Sequence, residues 1–145
     1  MIHTIIHNRP TRLFIVLAGL FITTAIIAEF IGTKIFSLEA TLGLAPAQIH
    51  LFGGDYSFNL TCGVLLWPVV FIMTDLINEY YGVKGVRFLS WLTIILIGLG
   101  FLAVFGAIHT VPNAWWITSK QETGIDDMSQ SFNGVFGQGL GIIIA

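Results

Sequence analysis

FIMTDLINEYYGVKGVRFLS, at residues 71–90, is the stretch on which the reading of the fold depends. An Asp, an Asn and a Glu close one apolar run there, and a Lys and an Arg open the next, in a chain with only 10% charged residues. An ionisable side chain inside a spanning helix costs roughly 2.5–3.5 kcal/mol on insertion scales, so it faces a protein interior or a wet cavity and has a task there. The stretch therefore reads as the joint between two membrane helices and as the chain's candidate working part.

The rest of the composition agrees with a membrane setting. Of 145 residues, 55% are hydrophobic, and the mean hydropathy is +0.87; a soluble domain carries about 25% charged residues. Several apolar segments reach the roughly 18 residues that mark a spanning helix. The expected fold class is all-α: a polytopic transmembrane helix bundle with three full spans and the start of a fourth, in one integral membrane domain over residues 1–145. The spans are placed at about 13–36, 61–80, 88–108 and 134–145. The last is too short to cross, which marks the chain as the N-terminal part of a longer protein.

Several function classes fall away. A net charge of -2, with no basic patch or RNA-binding aromatic pattern, excludes nucleic acid as a partner. Cys62 is the lone cysteine, so no intrachain disulfide forms, and it reads as a small buried apolar residue. Arg9 and Arg12 before an apolar run imitate a signal peptide. That run is longer than a signal core, lacks a cleavage site and is followed by further spans, so it is read as retained. His50 and Asp55 sit in a loop, over residues 37–60, with room for one short interfacial helix, and have no metal-ligand spacing. No cofactor motif is present.

Along the first span, Ala18, Ala25, Glu29 and Gly32 share one face, which should pack inward. Lys34 lies five positions beyond Glu29, well off its face, and either snorkels to the headgroups or joins the site. In the second span Pro68 frees the carbonyl of Val64 and kinks the helix, either for gating or simply to fit its neighbours. Asp75 and Glu79 are four apart on one face, with Asn78 beside them. Such like charges persist because a cation bridges them, because one is protonated, or because both are in water. Gly82 suits a helix C-cap, and a tight turn there should bring Arg87 to Glu79 or Asp75 as an ion pair.

The third span carries Gly98, Gly100, Ala103, Gly106 and Ala107 for close helix contact, and Gly137 and Gly141 form a GxxxG pair in the next segment. Between them Trp115 and Trp116 read as interface anchors. Arg9 and Arg12 before the first span, with Lys84 and Arg87 after the second, place the N-terminus and the 75–87 turn in the cytoplasm by the positive-inside rule.

LLWPVVFIMTDLINEYYGVKGVR, at residues 65–87, closely resembles the signature of the queuosine precursor transporter family: a proline in the span, then an Asp, an Asn-Glu, an aromatic-Gly turn and a basic residue. AEFIGTKIF, at residues 28–36, is similar to that family's first-span motif, in which a polar residue precedes a Lys; Glu29 stands where many members carry Asn. The resemblance implies a multi-pass inner-membrane protein of about six spans, related in architecture to the substrate-binding components of vitamin uptake systems. It implies import of the deazaguanine bases preQ0 and preQ1, precursors of a modified tRNA base, without a dedicated ATPase.

A deazaguanine presents a donor and acceptor edge that carboxylates recognise. Asp75, Asn78, Glu79 and Glu29 are the candidate partners for it, and Trp67, Tyr80 or Tyr81 could stack on the ring. Pro68, Gly82, Arg87 and Lys34 are candidates for gating or structural roles. Three rivals stand beside the carrier: a binding component that needs an energising partner, a structural membrane subunit, and an intramembrane enzyme using Asp75 and Glu79 as an acid and base. No nucleophile, metal triad or phosphate loop accompanies that pair, so no enzyme is expected.

Overall fold

Pro10 and Pro68 mark the starts of the two long helices, because a proline in the first turn lacks only an N–H that no helical carbonyl would accept. In the computed structural model, which describes residues 8–51 and 53–144, α1 runs Arg9–Ile31 with Pro10 in its first turn. Residues 1–7, Phe52 and the terminal Ala145 lie outside the described residues. The expected first span reached residue 36, but α1 stops at Ile31. Residues beyond it form β1 (Ile35–Ser37), which pairs antiparallel with β4 (Asn59–Thr61), Ile35 opposite Thr61.

Between these strands lie α2 (Leu38–Thr41) and a hairpin of β2 (Ile49–Leu51) and β3 (Gly54–Tyr56), with His50 opposite Asp55. The short helix matches expectation and the two ladders do not. They supply partners for backbone groups of a long connection that a bare loop would leave to water.

A 3₁₀ turn, Cys62–Leu65, leads into α3, Trp67–Ile108, 42 residues long. Pro68 stands in the first turn of α3, so the expected interior kink is absent: no helical hydrogen bond is lost there, and a gating kink at Pro68 is corrected to a helix start. The break comes instead at Gly82, whose φ of 67° and ψ of 179° interrupt the helix. Glycine takes a positive φ without the steric cost a Cβ brings. Trp67 and Phe101 line one cavity, although a straight helix would hold them about 51 Å apart. The helix is therefore folded back at Gly82 into two arms, residues 67–81 and 83–108.

Both arms pack on α1. Leu17, Phe21 and Ala25 of α1 bury one cluster with Val70 and Ile77 of the first arm and Leu89 of the second. Ile77 and Leu89 are each 1% exposed, so the turn brings these two faces together. By length and composition, α1 and α3 are the two helices apolar enough to cross a membrane among the described residues, against the three full spans and partial fourth expected.

After α3 come α4 (Ala114–Ile117), a 3₁₀ turn (Gln121–Thr123) and α5 (Met128–Ile144). α5 starts six residues before the expected position, because Asp127 caps it: Oδ1 accepts the backbone N–H of Ser129 at 2.7 Å and of Gln130 at 3.0 Å. The Gln130 side-chain amide donates to Asp127 Oδ2 at 3.1 Å. Its contact point also differs from the GxxxG expectation. A Cβ added at Gly139 would lie 3.0 Å from the Phe101 ring and one at Gly137 in ordinary contact with Ile108 at 3.8 Å, whereas one at Gly141 would meet nothing within 4 Å. Likewise, of the third span's glycines, Gly100 approaches the Phe30 ring, while Gly98 and Gly106 meet nothing within 4 Å.

Candidate functional site

Glu29 lies in the last turn of α1, where the small residues Ala28 and Gly32 flank it. Gly63 of the 3₁₀ turn approaches so closely that a Cβ there would sit 2.7 Å from the Ala28 carbonyl oxygen. That approach, with Cys62 N–H donating to the Lys34 carbonyl at 2.8 Å, brings Thr61 and Trp67 to the end of α1. The returning arm of α3 adds Phe101, and α5 adds Gly139. These segments enclose a cavity of about 160 Å³ lined by Glu29, Thr33, Thr61, Trp67, Phe101 and Gly139 together with Ala28, Gly32 and Gly63.

Glu29 is the one ionisable group in this lining. It is half-buried, and among the described residues it makes no hydrogen bond or ion pair. The Thr33 hydroxyl donates its proton to the Phe30 carbonyl at 3.0 Å, so toward the cavity it acts as an acceptor. Phe101 stacks on Phe30, with ring centroids 5.4 Å apart, which holds it as a fixed wall.

Of the residues expected at the site, only Glu29 and Trp67 meet in this cavity. Asp75, Asn78 and Glu79 are exposed on the first arm of α3, on the face turned away from the core; at 1.5 Å per residue, Glu79 lies about 18 Å along the helix from Trp67. Tyr81 is tied elsewhere: its hydroxyl donates to the Pro10 carbonyl at 2.5 Å and its ring packs edge-on to Phe14 at 4.8 Å. It holds the Gly82 turn to the start of α1. Tyr80 borders a separate groove with Arg9 and Leu13.

The expected ion pair is not made: among the described residues no salt bridge joins Arg87 to Asp75 or Glu79. Ile77 and Leu89 face inward. Glu79 and Arg87 are each two positions from one of these, and two helical positions turn a side chain about 200° away. Lys34 is exposed and borders a different, apolar groove with Phe30, Ile31, Cys62, Leu65 and Phe136, so it does not join Glu29.

Thr33, Thr61 and Phe101 were missed as lining residues. Thr33 lies in the turn just past α1, which ends at Ile31; Thr61 and Phe101 arrive only through tertiary packing. Glu39 was also missed. It is 6% exposed and accepts hydrogen bonds from Phe58 N–H at 2.8 Å, Ser37 Oγ at 3.1 Å and Ala47 N–H at 3.3 Å. The Phe58 N–H foremost, with the other donors, holds its carboxyl below the usual carboxylate range. Glu39 thus ties the 37–59 connection together beside the strands that bring Thr61 to the cavity.

A family model described as "Putative vitamin uptake transporter" matches residues 61–145, more than half of the chain. The chain belongs to the vitamin uptake transporter family. The matched residues contain both arms of α3, its Gly82 turn and α5, and so supply Thr61, Trp67, Phe101 and Gly139 to the cavity. No curated protein and no solved structure matches the chain. Membership in the vitamin uptake transporter family, with two helices apolar enough to cross a membrane, describes a membrane protein that moves a solute and implies that it is not an enzyme.

Proposed function

We propose that this vitamin uptake transporter imports queuosine precursors, the deazaguanine bases preQ0 and preQ1, across the inner membrane into the cytoplasm. The carrying observation is the cavity at the end of α1, lined by the Trp67 indole, the Phe101 ring and Glu29, a carboxylate with no partner among the described residues. Aromatic walls with a few convergent polar groups are the usual make-up of small-solute sites. A volume of about 160 Å³ is below the roughly 300–1,000 Å³ of drug-sized ligand sites, which suits one compact ring system. The signature at residues 65–87 directs the choice of solute toward deazaguanines.

In this reading the N-terminus and the Gly82 turn face the cytoplasm, in line with Arg9, Arg12, Lys84 and Arg87 at that end. α1 and the two arms of α3 cross the membrane, α5 begins a fourth crossing, and the Glu29 cavity serves the outer half. Asp75, Asn78 and Glu79, toward the cytoplasmic end of the first arm, form a second polar station along the route. A carboxylate that changes protonation state there would couple movement to protons.

The test is the queuosine content of tRNA in a bacterium that can neither make nor import the precursors, fed trace precursor with and without the protein at its natural length. Queuosine returns if the reading holds. Its absence despite confirmed membrane insertion overturns the solitary importer, and its return only with an added ATPase partner makes the protein a binding component. Within the same strain, Asp75→Asn and Glu79→Gln each lower queuosine; normal levels in both remove the second station.

A further inference from the structure

We infer that the Glu29 cavity selects a solute bearing a protonated amine, so that the aminomethyl precursor is imported in preference to the nitrile precursor; this rests on the deazaguanine reading above. The two bases share one ring system and differ in a single substituent. At neutral pH a primary alkyl amine carries a positive charge and three N–H donors, as a lysine does. A nitrile is neutral and only accepts.

The cavity is built for the first. Its one ionisable lining group is the Glu29 carboxylate, which accepts hydrogen bonds and donates none when ionised. The Thr33 hydroxyl already gives its proton to the Phe30 carbonyl at 3.0 Å, leaving its lone pairs for the cavity. The lining holds no Lys, Arg or His that would neutralise Glu29, and among the described residues no cation pairs with it from elsewhere.

A carboxylate in a partly desolvated pocket is unfavourable until a cation or donor meets it. An ammonium satisfies that need, in a lining that also holds the Trp67 indole, the aromatic ring that binds cations best. A nitrile nitrogen brought to the same place would set one acceptor against others. Gly63 and Gly139 of the lining are each pressed so close to neighbouring atoms that a Cβ would crowd Ala28 or Phe101.

The experiment measures uptake of each labelled base by the natural-length protein in a strain lacking other importers, for the parent and for Glu29→Gln, with membrane amounts equalised by an epitope tag. The expected result is an aminomethyl preference of roughly 10- to 100-fold, the range a charge-assisted hydrogen bond provides, which collapses in Glu29→Gln. Equal uptake of both bases by the parent, or a preference that survives Glu29→Gln, overturns the inference while leaving the importer standing. Import of neither base overturns the importer and this inference with it.

Should Glu29→Gln fail to reach the membrane, binding to the purified parent decides. Tryptophan fluorescence titrations with the aminomethyl base and with the nitrile base, which keeps the ring, is no larger and lacks the charge, should give affinities at least tenfold apart. Equal affinities overturn the inference.

Discussion

Two glutamates ten residues apart, Glu29 at the end of α1 and Glu39 in α2, live in opposite conditions. Glu39 is buried and accepts three hydrogen bonds, from Phe58, Ser37 and Ala47, so its charge is met from within the chain. Glu29 is half-buried, lines a cavity with Trp67 and Phe101, and meets no partner among the described residues. The contrast separates a carboxylate that organises a connection from one left open to a solute, and burial alone does not make that separation. What matters is whether the donors are already present.

The contrast can be broken first at the wall behind Glu29. Gly63→Val drives a side chain into the Ala28 carbonyl, which a Cβ alone would approach to 2.7 Å. Overpacking of this kind costs about 1–3 kcal/mol. In a detergent unfolding titration Gly63→Val should lose that much stability, and it should abolish precursor uptake because the 3₁₀ turn can no longer bring Thr61 and Trp67 to the cavity. Unchanged stability would mean that the close approach is not a packing contact.

A smaller effect is expected at the opposite wall. Asp127 caps α5, which supplies Gly139 to the cavity. Removing a helix cap costs typically about 1 kcal/mol, so Asp127→Ala should reduce stability by that amount in the same titration and weaken uptake only partly. Asp127→Asn, which keeps a capping oxygen, should recover most of both.

The smallest effect sharpens the comparison from the Glu39 side. Because its folded-state carboxyl is held below the usual range, its contribution is fully present above the ordinary carboxylate range and is lost as pH falls through the lowered folded value. Limited proteolysis of the 37–59 connection in reconstituted protein should therefore stay flat from neutral pH to the ordinary carboxylate range and rise below it. Glu39→Gln, which never carries the charge, should show the faster cleavage at neutral pH as well.

Much of this fold is readable from the residues alone. The apolar runs announce the long helices, Pro10 the start of the first, and Gly82 the turn that folds α3 on itself. Pro68 misleads because a proline inside an apolar run looks like an interior kink. Only the strand at Asn59–Thr61 and the 3₁₀ turn after it reveal that the helix has just begun. The start of α5 differs for a similar local reason, although Asp127 followed three residues later by Gln130 is a capping pattern open to inspection.

The candidate site was half legible. Glu29 and Trp67 stand out as a carboxylate and a large aromatic in apolar surroundings, but nothing in their spacing says that they meet. Their meeting depends on the β1–β4 ladder and the close approach of Gly63 to Ala28, and the fold-back at Gly82 then adds Phe101; all are tertiary events. Asp75 and Glu79 attract attention by their charge, yet they lie on the outer face of the hairpin, because the inward positions went to Ile77 and Leu89. Charge in a helix marks a candidate and its face decides the neighbours.

The most direct measurement is carboxylate footprinting of the natural-length protein in membranes with a hydrophobic carbodiimide, read by mass spectrometry with and without the aminomethyl precursor. Saturating precursor should protect Glu29 while leaving Glu79 as reactive as before. Full labelling of Glu29 in the presence of precursor that is being imported, or protection confined to Asp75 and Glu79, would contradict the assignment of the cavity at the end of α1 as the place where the solute is held.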